Sequence, residues 1–403
     1  MHKPIRSSPL VLVLSGGAVM GLALGIRHAQ GLFLVPLAAA HGGGRADLAF
    51  ALALQNLVWG LAQPLAGMLA DRFGARRLVA GGCLLYALGL ACMARAAGPF
   101  QLALGAGLLI GLALSCTTFG VIYAVLSRLL APGRRAWGLA LAGAAAGLGQ
   151  FFAIPLVQEA IGRVGAPATL ALLAGAIALF AVCAVPLDDR GAADVPAGAA
   201  QPLAAVLRAA AGHPGFWMLA SGFFACGFQL AFIANHLPAY LLDRGFGARH
   251  AAIALALIAM ANVPGTYACG LLGARLRKAQ LLSCIYLLRS AAIAAFVFSP
   301  LSEASLYAFA VAMGLFWLGT VPLTNGIVAQ VFDLRHLGAL FGFVFLGHQL
   351  GSFFGVWLGG LAFDATGSYD ALWLGAIAVG LFAAAIHWPI RETPVRAGAR
   401  RAA

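Results

Sequence analysis

Apolar residues recur in runs of roughly 20 along almost the whole 403-residue chain, and short clusters of charged residues, glycine and proline separate the runs. A helix of about 20 residues is about 30 Å long, which matches the hydrocarbon core of a bilayer. The pattern therefore predicts an all-α membrane protein. Its twelve spanning helices are expected near residues 9–38, 47–70, 78–97, 100–128, 137–162, 166–187, 215–241, 250–273, 280–299, 304–330, 338–363 and 371–390.

The composition agrees with this pattern, because 62% of the residues are hydrophobic and 9% are charged. A net charge of +13 could indicate a nucleic-acid partner, but no loop between the apolar runs is long enough for a basic binding domain. The seven cysteines all fall inside apolar runs without metal-ligand spacing. No arrangement of nucleophile, base and acid is visible either. The sequence therefore predicts no enzyme activity, no cofactor, no metal and no nucleic-acid partner.

A polar, Ala- and Pro-rich stretch divides the twelve helices into two sets of six. We predict an N-terminal bundle (1–187), a cytoplasmic linker with one surface helix (188–213), a C-terminal bundle (214–390) and a cytoplasmic tail (391–403). The segment 67–77 is echoed by 270–278, and the segment 159–162 by 364–367. Both echoes have almost the same offset, as expected of two parallel repeats.

The basic residues predict the orientation. With a cytoplasmic N-terminus, 18 lysines and arginines lie inside, 5 lie outside and 2 lie within helices. By the positive-inside rule, both termini are cytoplasmic. Lys3 and Arg6 precede an apolar run that continues past Arg27 without a cleavage site, so we predict an uncleaved first helix. We expect a monomer in the inner membrane, with the lipid bilayer around it.

The loop between the second and third helices contains a specific motif, G-x-x-x-D-R-x-G-x-R-R. Its residues are Gly67, Asp71, Arg72, Gly74, Arg76 and Arg77. This loop resembles the signature of the major facilitator superfamily. The resemblance implies two six-helix halves that rock about a central site, and a gate in which Asp71 latches onto the N-terminal end of helix 11. Gly67 is expected to allow close helix approach and Gly74 a tight turn.

Charge inside the membrane is expected to be positive. All twelve acidic residues fall in loops or at helix ends, whereas Arg27 and Arg289 fall inside apolar runs. A proton-driven exporter of cationic drugs commonly needs an acid within the membrane, so that class is disfavoured. A buried guanidinium is costly unless it is paired, and an anionic substrate is its natural partner here. This pattern indicates a carboxylate ligand.

Arg27 is the main candidate, because its planar fork can bind a carboxylate with two hydrogen bonds. The alternatives are that it reaches the membrane surface or bonds to the carbonyls of a broken helix. For Arg289 we expect a structural role near the cytoplasmic interface. Pro238 loosens helix 7 beside Asn235 and His236. The full set of predicted substrate-binding residues is Arg27, His28, Tyr123, Asn235, His236, Trp317, Asn325 and His348.

Three segments carry a closer resemblance, namely 25–34 in helix 1, 137–143 in helix 5 and 340–347 in helix 11. They resemble bacterial members of the monocarboxylate transporter family and its oxalate/formate relatives. The resemblance implies a basic residue late in helix 1, at Arg27 or His28. It also implies an Asp and an Arg in helix 8, where this chain has Asn262 and Thr266. The coupling ion therefore stays open: a histidine or the substrate could carry a proton, or the protein could be an exchanger or uniporter.

Together these features predict a secondary transporter of a small organic anion, and the resemblance favours a monocarboxylate. The alternative within the same fold is efflux of neutral or lipophilic compounds through an apolar cavity. A membrane sensor or assembly factor would need an appended signalling domain, for which the loops leave no room.

Overall fold

The computed structural model describes residues 8–41, 44–189, 203–332 and 337–394. The basic N-terminal residues, half of the predicted linker (190–202) and most of the predicted tail (395–403) lie outside the described residues.

The described chain forms twelve helices that are long and apolar enough to cross a membrane. Each bound lies within about three residues of the sequence-based prediction, so the all-α membrane fold is confirmed. A short linker helix, Leu203–Ala211, follows helix 6. Helices 1 to 12 are Pro9–Ala39, Arg45–Phe73, Ala75–Ala94, Pro99–Leu129, Trp137–Val164, Ala166–Ala184, Pro214–Asp243, Ala248–Gly273, Lys278–Phe298, Glu303–Val331, Leu340–Thr366 and Asp370–His387.

Helices 4 and 10 are interrupted at corresponding places in the two sets of six. In helix 4, Thr118 is extended, with φ −115° and ψ −166°, and a new helical segment starts at the next residue. In helix 10, the first segment ends at Leu315 and the second begins at Thr320. Matched breaks of this kind mark the substrate site in transporters built from repeats.

The break in helix 10 frees backbone groups that two buried polar side chains satisfy. Arg289 donates from Nε to the carbonyl of Phe316 at 2.9 Å and from Nη2 to the carbonyl of Trp317 at 2.5 Å. On the other side of the break, Asn262 Oδ1 accepts the Leu318 N–H at 3.0 Å. Unpaired backbone groups are costly inside a membrane, so both side chains stabilise the break.

The structural role predicted for Arg289 therefore holds, but its predicted position does not. Arg289 lies in the middle of the 21-residue helix 9, fully buried, rather than near the membrane surface. Its Nη1 also donates to Cys226 Sγ at 3.3 Å.

The facing helices 2 and 11 pack closely at one end and not at the other. A Cβ added to Gly60 would come within 2.8 Å of Gln349, and one added to Gly360 within 2.6 Å of Ala49. Gly67 and Gly342 lie about two and five turns away on the same faces. A Cβ added to either would meet nothing within 4 Å.

We name the packed end the Arg45 end and the open end the Asp71 end. In this conformation Gly67 does not provide the close helix approach that the sequence predicted, because the halves are apart at the Asp71 end. Two other glycines of helix 11, Gly351 and Gly355, pack against backbone carbonyls of Phe224 and Phe228 in helix 7, within one half.

Candidate functional site

Arg27 lies in the first segment of helix 1, Pro9–Ala29, which is followed by a 3-10 turn, Gln30–Phe33. Its Nη2 donates to the side-chain oxygen of Asn56 in helix 2 at 2.5 Å. Its guanidinium lies over the ring of Trp59, 5.1 Å from the centroid. Among the described residues Arg27 has no acidic partner, and its buried Nε makes no hydrogen bond. A half-buried cation with neutral partners and a spare donor is suited to an anion.

Helix 2 supplies polar residues that the sequence analysis missed. The Asn56 amide is oriented by its own hydrogen bond to the Leu52 carbonyl at 2.8 Å, which turns its oxygen toward Arg27. Trp59 donates to Gln63, and Gln63 donates to the Ser115 carbonyl at 3.3 Å, beside the break in helix 4. Their spacing along one helical face is the signal that could have revealed them.

Helices 1, 2, 10 and 11 bring side chains of both halves together around Arg27 and Asn56. Gln349 of helix 11 donates to the Asn56 carbonyl at 3.0 Å. His28 faces Trp317 at 6.4 Å between ring centroids. His348 donates from Nδ1 to Gln349 Oε1 at 3.1 Å, and its ring stacks on Phe345.

Four predicted residues thus gather at the junction of the halves, and we name them the central site together with their new neighbours. The central site comprises Arg27, His28, Asn56, Trp59, Trp317, Phe345, His348 and Gln349.

Tyr123 and Asn325 lie outside the central site, in the second segments of helices 4 and 10. Tyr123 is in the segment of helix 4 nearer the Asp71 end, where its hydroxyl lies close to Gly143 of helix 5. Asn325 donates to the Val321 carbonyl of its own helix at 3.3 Å. Both are partly exposed, so their predicted contact with substrate stays a prediction.

Asn235 and His236 do not join the central site. Asn235 donates to the Ala231 carbonyl of its own helix at 2.8 Å. His236 is 1% exposed and bonds to the Val356 carbonyl and to Tyr369, toward the Arg45 end. The sequence prediction rested on the proline in helix 7, but the His236 ring is directed at helix 11 and away from the central site.

The Arg45 end is closed by an ion-pair network between the halves. Arg45, the first residue of helix 2, binds both carboxylate oxygens of Asp243 at 2.6 Å and the Tyr369 hydroxyl at 3.1 Å. Asp364, at the end of helix 11, accepts the backbone N–H groups of Arg45 and Ala46 at 3.0 and 2.9 Å. A carboxylate at a helix N-terminus is favoured by the helix dipole. We name these residues the Arg45 gate.

The motif loop at the Asp71 end makes contacts within one half. Asp71 accepts from Arg128 of helix 4 at 2.7 Å, and Arg128 lies 3.4 Å from Asp189. The buried Asp189 carboxylate accepts the Ala75 N–H at 2.9 Å and so caps helix 3. Among the described residues Asp71 therefore does not form the expected latch on helix 11 in this conformation.

The remaining motif residues take positions at the surface. Gly74 ends helix 2 with a φ of 85°, which favours glycine and agrees with the predicted turn. Arg76 lies 3.6 Å from Asp188. Arg72 lies over the ring of Phe73 at 5.3 Å. Arg77 is exposed on the first turn of helix 3.

The open face at Gly67 yields a prediction. Gly67→Leu should fit this conformation, since nothing lies within 4 Å, but should obstruct closure of the Asp71 end. Overpacking costs about 1–3 kcal/mol, so we expect roughly a 5- to 150-fold loss of transport rate. Gly81→Leu, also without neighbours but on helix 3, is the matched control for proteoliposome uptake. Equal rates in both variants would contradict closure at Gly67.

Comparison with known proteins fits this architecture. Residues 13–316 match the Major Facilitator Superfamily. Human monocarboxylate transporter 11 is 31% identical, over 90% of this chain and 79% of the relative. The Escherichia coli (strain K12) uncharacterized MFS-type transporter YhjX is 27% identical, over 85% of each chain.

A solved structure supports the same fold. It is a bacterial homolog of the human lysosomal transporter Spinster, with a TM-score of 0.73 at 17% identity over 96% of this chain and 97% of that one. The chain therefore belongs to the major facilitator superfamily of multi-pass membrane transporters, and within it is similar to the monocarboxylate transporters.

Proposed function

We propose that this transporter carries a small monocarboxylate by alternating access, with the carboxylate bound to Arg27 in the central site. The observation that carries the proposal is a half-buried guanidinium whose described side-chain partner is the neutral Asn56 and whose Nε is free. A carboxylate would satisfy the spare donor and the charge together. The similarity to proteins named monocarboxylate transporters supports the same substrate class.

The charges within the described spans favour one carboxylate over two. Arg289, the other arginine at mid-membrane, uses its donors on the carbonyls of Phe316 and Trp317 and on Cys226. A second carboxylate would therefore meet the aromatic rings of Trp59, Trp317 and Phe345 and lose its hydration without a compensating cation. A dicarboxylate should bind more weakly for this reason.

The gates and the charge distribution complete the proposal. With both termini on the cytoplasmic side of the inner membrane, the Arg45 gate faces the periplasm and the open Asp71 end faces the cytoplasm. The present conformation is then open to the inside. Transport requires the Arg45 gate to break while the halves close at the Asp71 end.

Ligand-dependent thermal stability of the purified protein in detergent tests this proposal. Binding to the native state raises the melting temperature, so a panel of monocarboxylates, dicarboxylates and neutral lipophilic compounds can be ranked. We expect stabilisation by a monocarboxylate. Arg27→Gln should weaken its binding about 10- to 100-fold, since a hydrogen bond to a charged group contributes about 1.5–3 kcal/mol.

Arg163→Gln is a suitable control because that arginine is 76% exposed and pairs with Glu159 on the surface of helix 5. It should bind like the wild type. Stabilisation only by neutral compounds, unchanged in Arg27→Gln, would contradict the anion site and favour the efflux alternative.

A further inference from the structure

His236 of helix 7 is buried against helix 11, and hydrogen bonds link it to the Arg45 gate. Its Nε2 lies 2.7 Å from the Val356 carbonyl, and its Nδ1 lies 3.3 Å from the Tyr369 hydroxyl. That hydroxyl also accepts from Arg45 at 3.1 Å. Gly359 lies directly against the imidazole ring, so a Cβ added to this glycine would clash with the ring. The histidine therefore has a tight, built pocket that ends at the gate arginine.

The partners fix the direction of each hydrogen bond. A carbonyl only accepts, so Nε2 carries the proton of the neutral ring and Nδ1 is an acceptor. Tyr369 is 2% exposed, and burial raises the pKa of its hydroxyl to about 12, so it keeps its proton. Its O–H can then donate to His236 while its oxygen accepts from Arg45. When His236 is neutral, both of its ring nitrogens and the Tyr369 hydroxyl have hydrogen-bond partners.

A second proton on His236 breaks this pattern. Nδ1 would become a donor, so the Tyr369 oxygen would have to accept from both His236 and Arg45. The Tyr369 hydroxyl proton would then no longer have Nδ1 as its acceptor. Two positive charges would also face each other across one hydroxyl. The carboxylates that oppose this are Asp243, which is held by Arg45, and Asp364, which is held by the start of helix 2.

We propose that His236 is a proton-binding site that senses and controls the Arg45 gate: its protonation weakens the closed gate through Tyr369 and Arg45. By linkage, opening the gate must then raise the proton affinity of His236 to the same extent. The histidine takes up a proton when the Arg45 end is open and gives it up when that end closes. Its role as the coupling site of transport rests on the function proposed above, whereas proton binding itself does not.

Hydrogen exchange measured by mass spectrometry tests this proposal on the purified full-length protein without substrate. The backbone amides of Arg45 and Ala46 donate to Asp364 across the gate, so their exchange reports its opening directly. After correction for the intrinsic effect of pH, we expect exchange in the wild type to be about fivefold faster near pH 6 than near pH 8.

His236→Gln should remove this pH dependence, because glutamine can bond to the carbonyl and the hydroxyl but does not bind a proton in this range. Tyr369→Phe, which keeps the histidine and removes the link, should remove it as well. His250→Gln is the control. That histidine is at the same end of the molecule, 3.1 Å from Glu303, and its loss should leave the response intact.

Two outcomes would overturn the proposal. Absence of pH dependence in the wild type would show that no proton acts on the gate. A pH dependence that survives in both His236→Gln and Tyr369→Phe would show that a group other than His236 controls the gate. Because no substrate is present, either result is independent of whether Arg27 binds a carboxylate.

Discussion

Arg289→Met is expected to lower the free energy of unfolding by about 2–4 kcal/mol, the largest stability loss we predict for a single side chain. The substitution leaves the buried carbonyls of Phe316 and Trp317 without their donor, and each unsatisfied group costs about 1–3 kcal/mol. Relief from burying a cation offsets part of this cost. Reversible unfolding in SDS-containing mixed micelles would measure the difference.

Two further variants separate hydrogen bonding from charge at this position. Arg289→Lys keeps the charge but has a single donor group, so we expect an intermediate loss. Leu288→Met is the neighbouring control, because Leu288 is 47% exposed and its replacement should change stability by less than about 0.5 kcal/mol. If Arg289→Met were as stable as this control, the break in helix 10 would not depend on the arginine.

Arg45→Gln is expected to shift the conformational equilibrium toward an open Arg45 end by about 10- to 100-fold. The variant loses the two-pronged bond to Asp243 and the bond to Tyr369, and a hydrogen bond between charged groups contributes about 1.5–3 kcal/mol. Hydrogen exchange in the helix 7 segment near Asn235, which packs against Gly31 of helix 1, should accelerate accordingly.

Arg244→Gln provides the comparison at the same end of the molecule. Arg244 lies 3.6 Å from Asp370 within the C-terminal half, and both side chains are at least half-exposed. Exposed pairs of this kind contribute little, so exchange in helix 7 should be unchanged. Equal exchange in the Arg45 and Arg244 variants would mean that Arg45 does not hold the halves together.

The fold was predictable because its signal is repeated twelve times along the chain. Each spanning helix needs an apolar run of defined length, and the charged residues that end the runs cannot lie in the hydrocarbon core. The same reasoning made Arg27 the main candidate for substrate binding, because a guanidinium inside an apolar run is conspicuous. It also predicted a structural role for Arg289, although the carbonyls that it binds arise only from the break in helix 10.

The cross-helix partners were not predictable from one sequence. The spacing of the polar residues marks one face of helix 2, but nothing in the sequence indicates that Asn56 and Gln349 of helix 11 meet beside Arg27. His236 was expected in the central site because of its helix and its neighbouring proline, but rotation about the helix axis directs it at Tyr369. Asp71 follows the superfamily motif, yet in this conformation it pairs with Arg128 of its own half.

Uptake of a labelled monocarboxylate into proteoliposomes containing wild-type or Arg27→Gln protein tests the central claim most directly, with Arg163→Gln as the control. We expect saturable uptake in the wild type and the control, competition by other monocarboxylates but not by dicarboxylates, and a loss of about 10- to 100-fold in Arg27→Gln. Uptake in Arg27→Gln that matches the control would contradict the assignment of Arg27 as the carboxylate-binding residue.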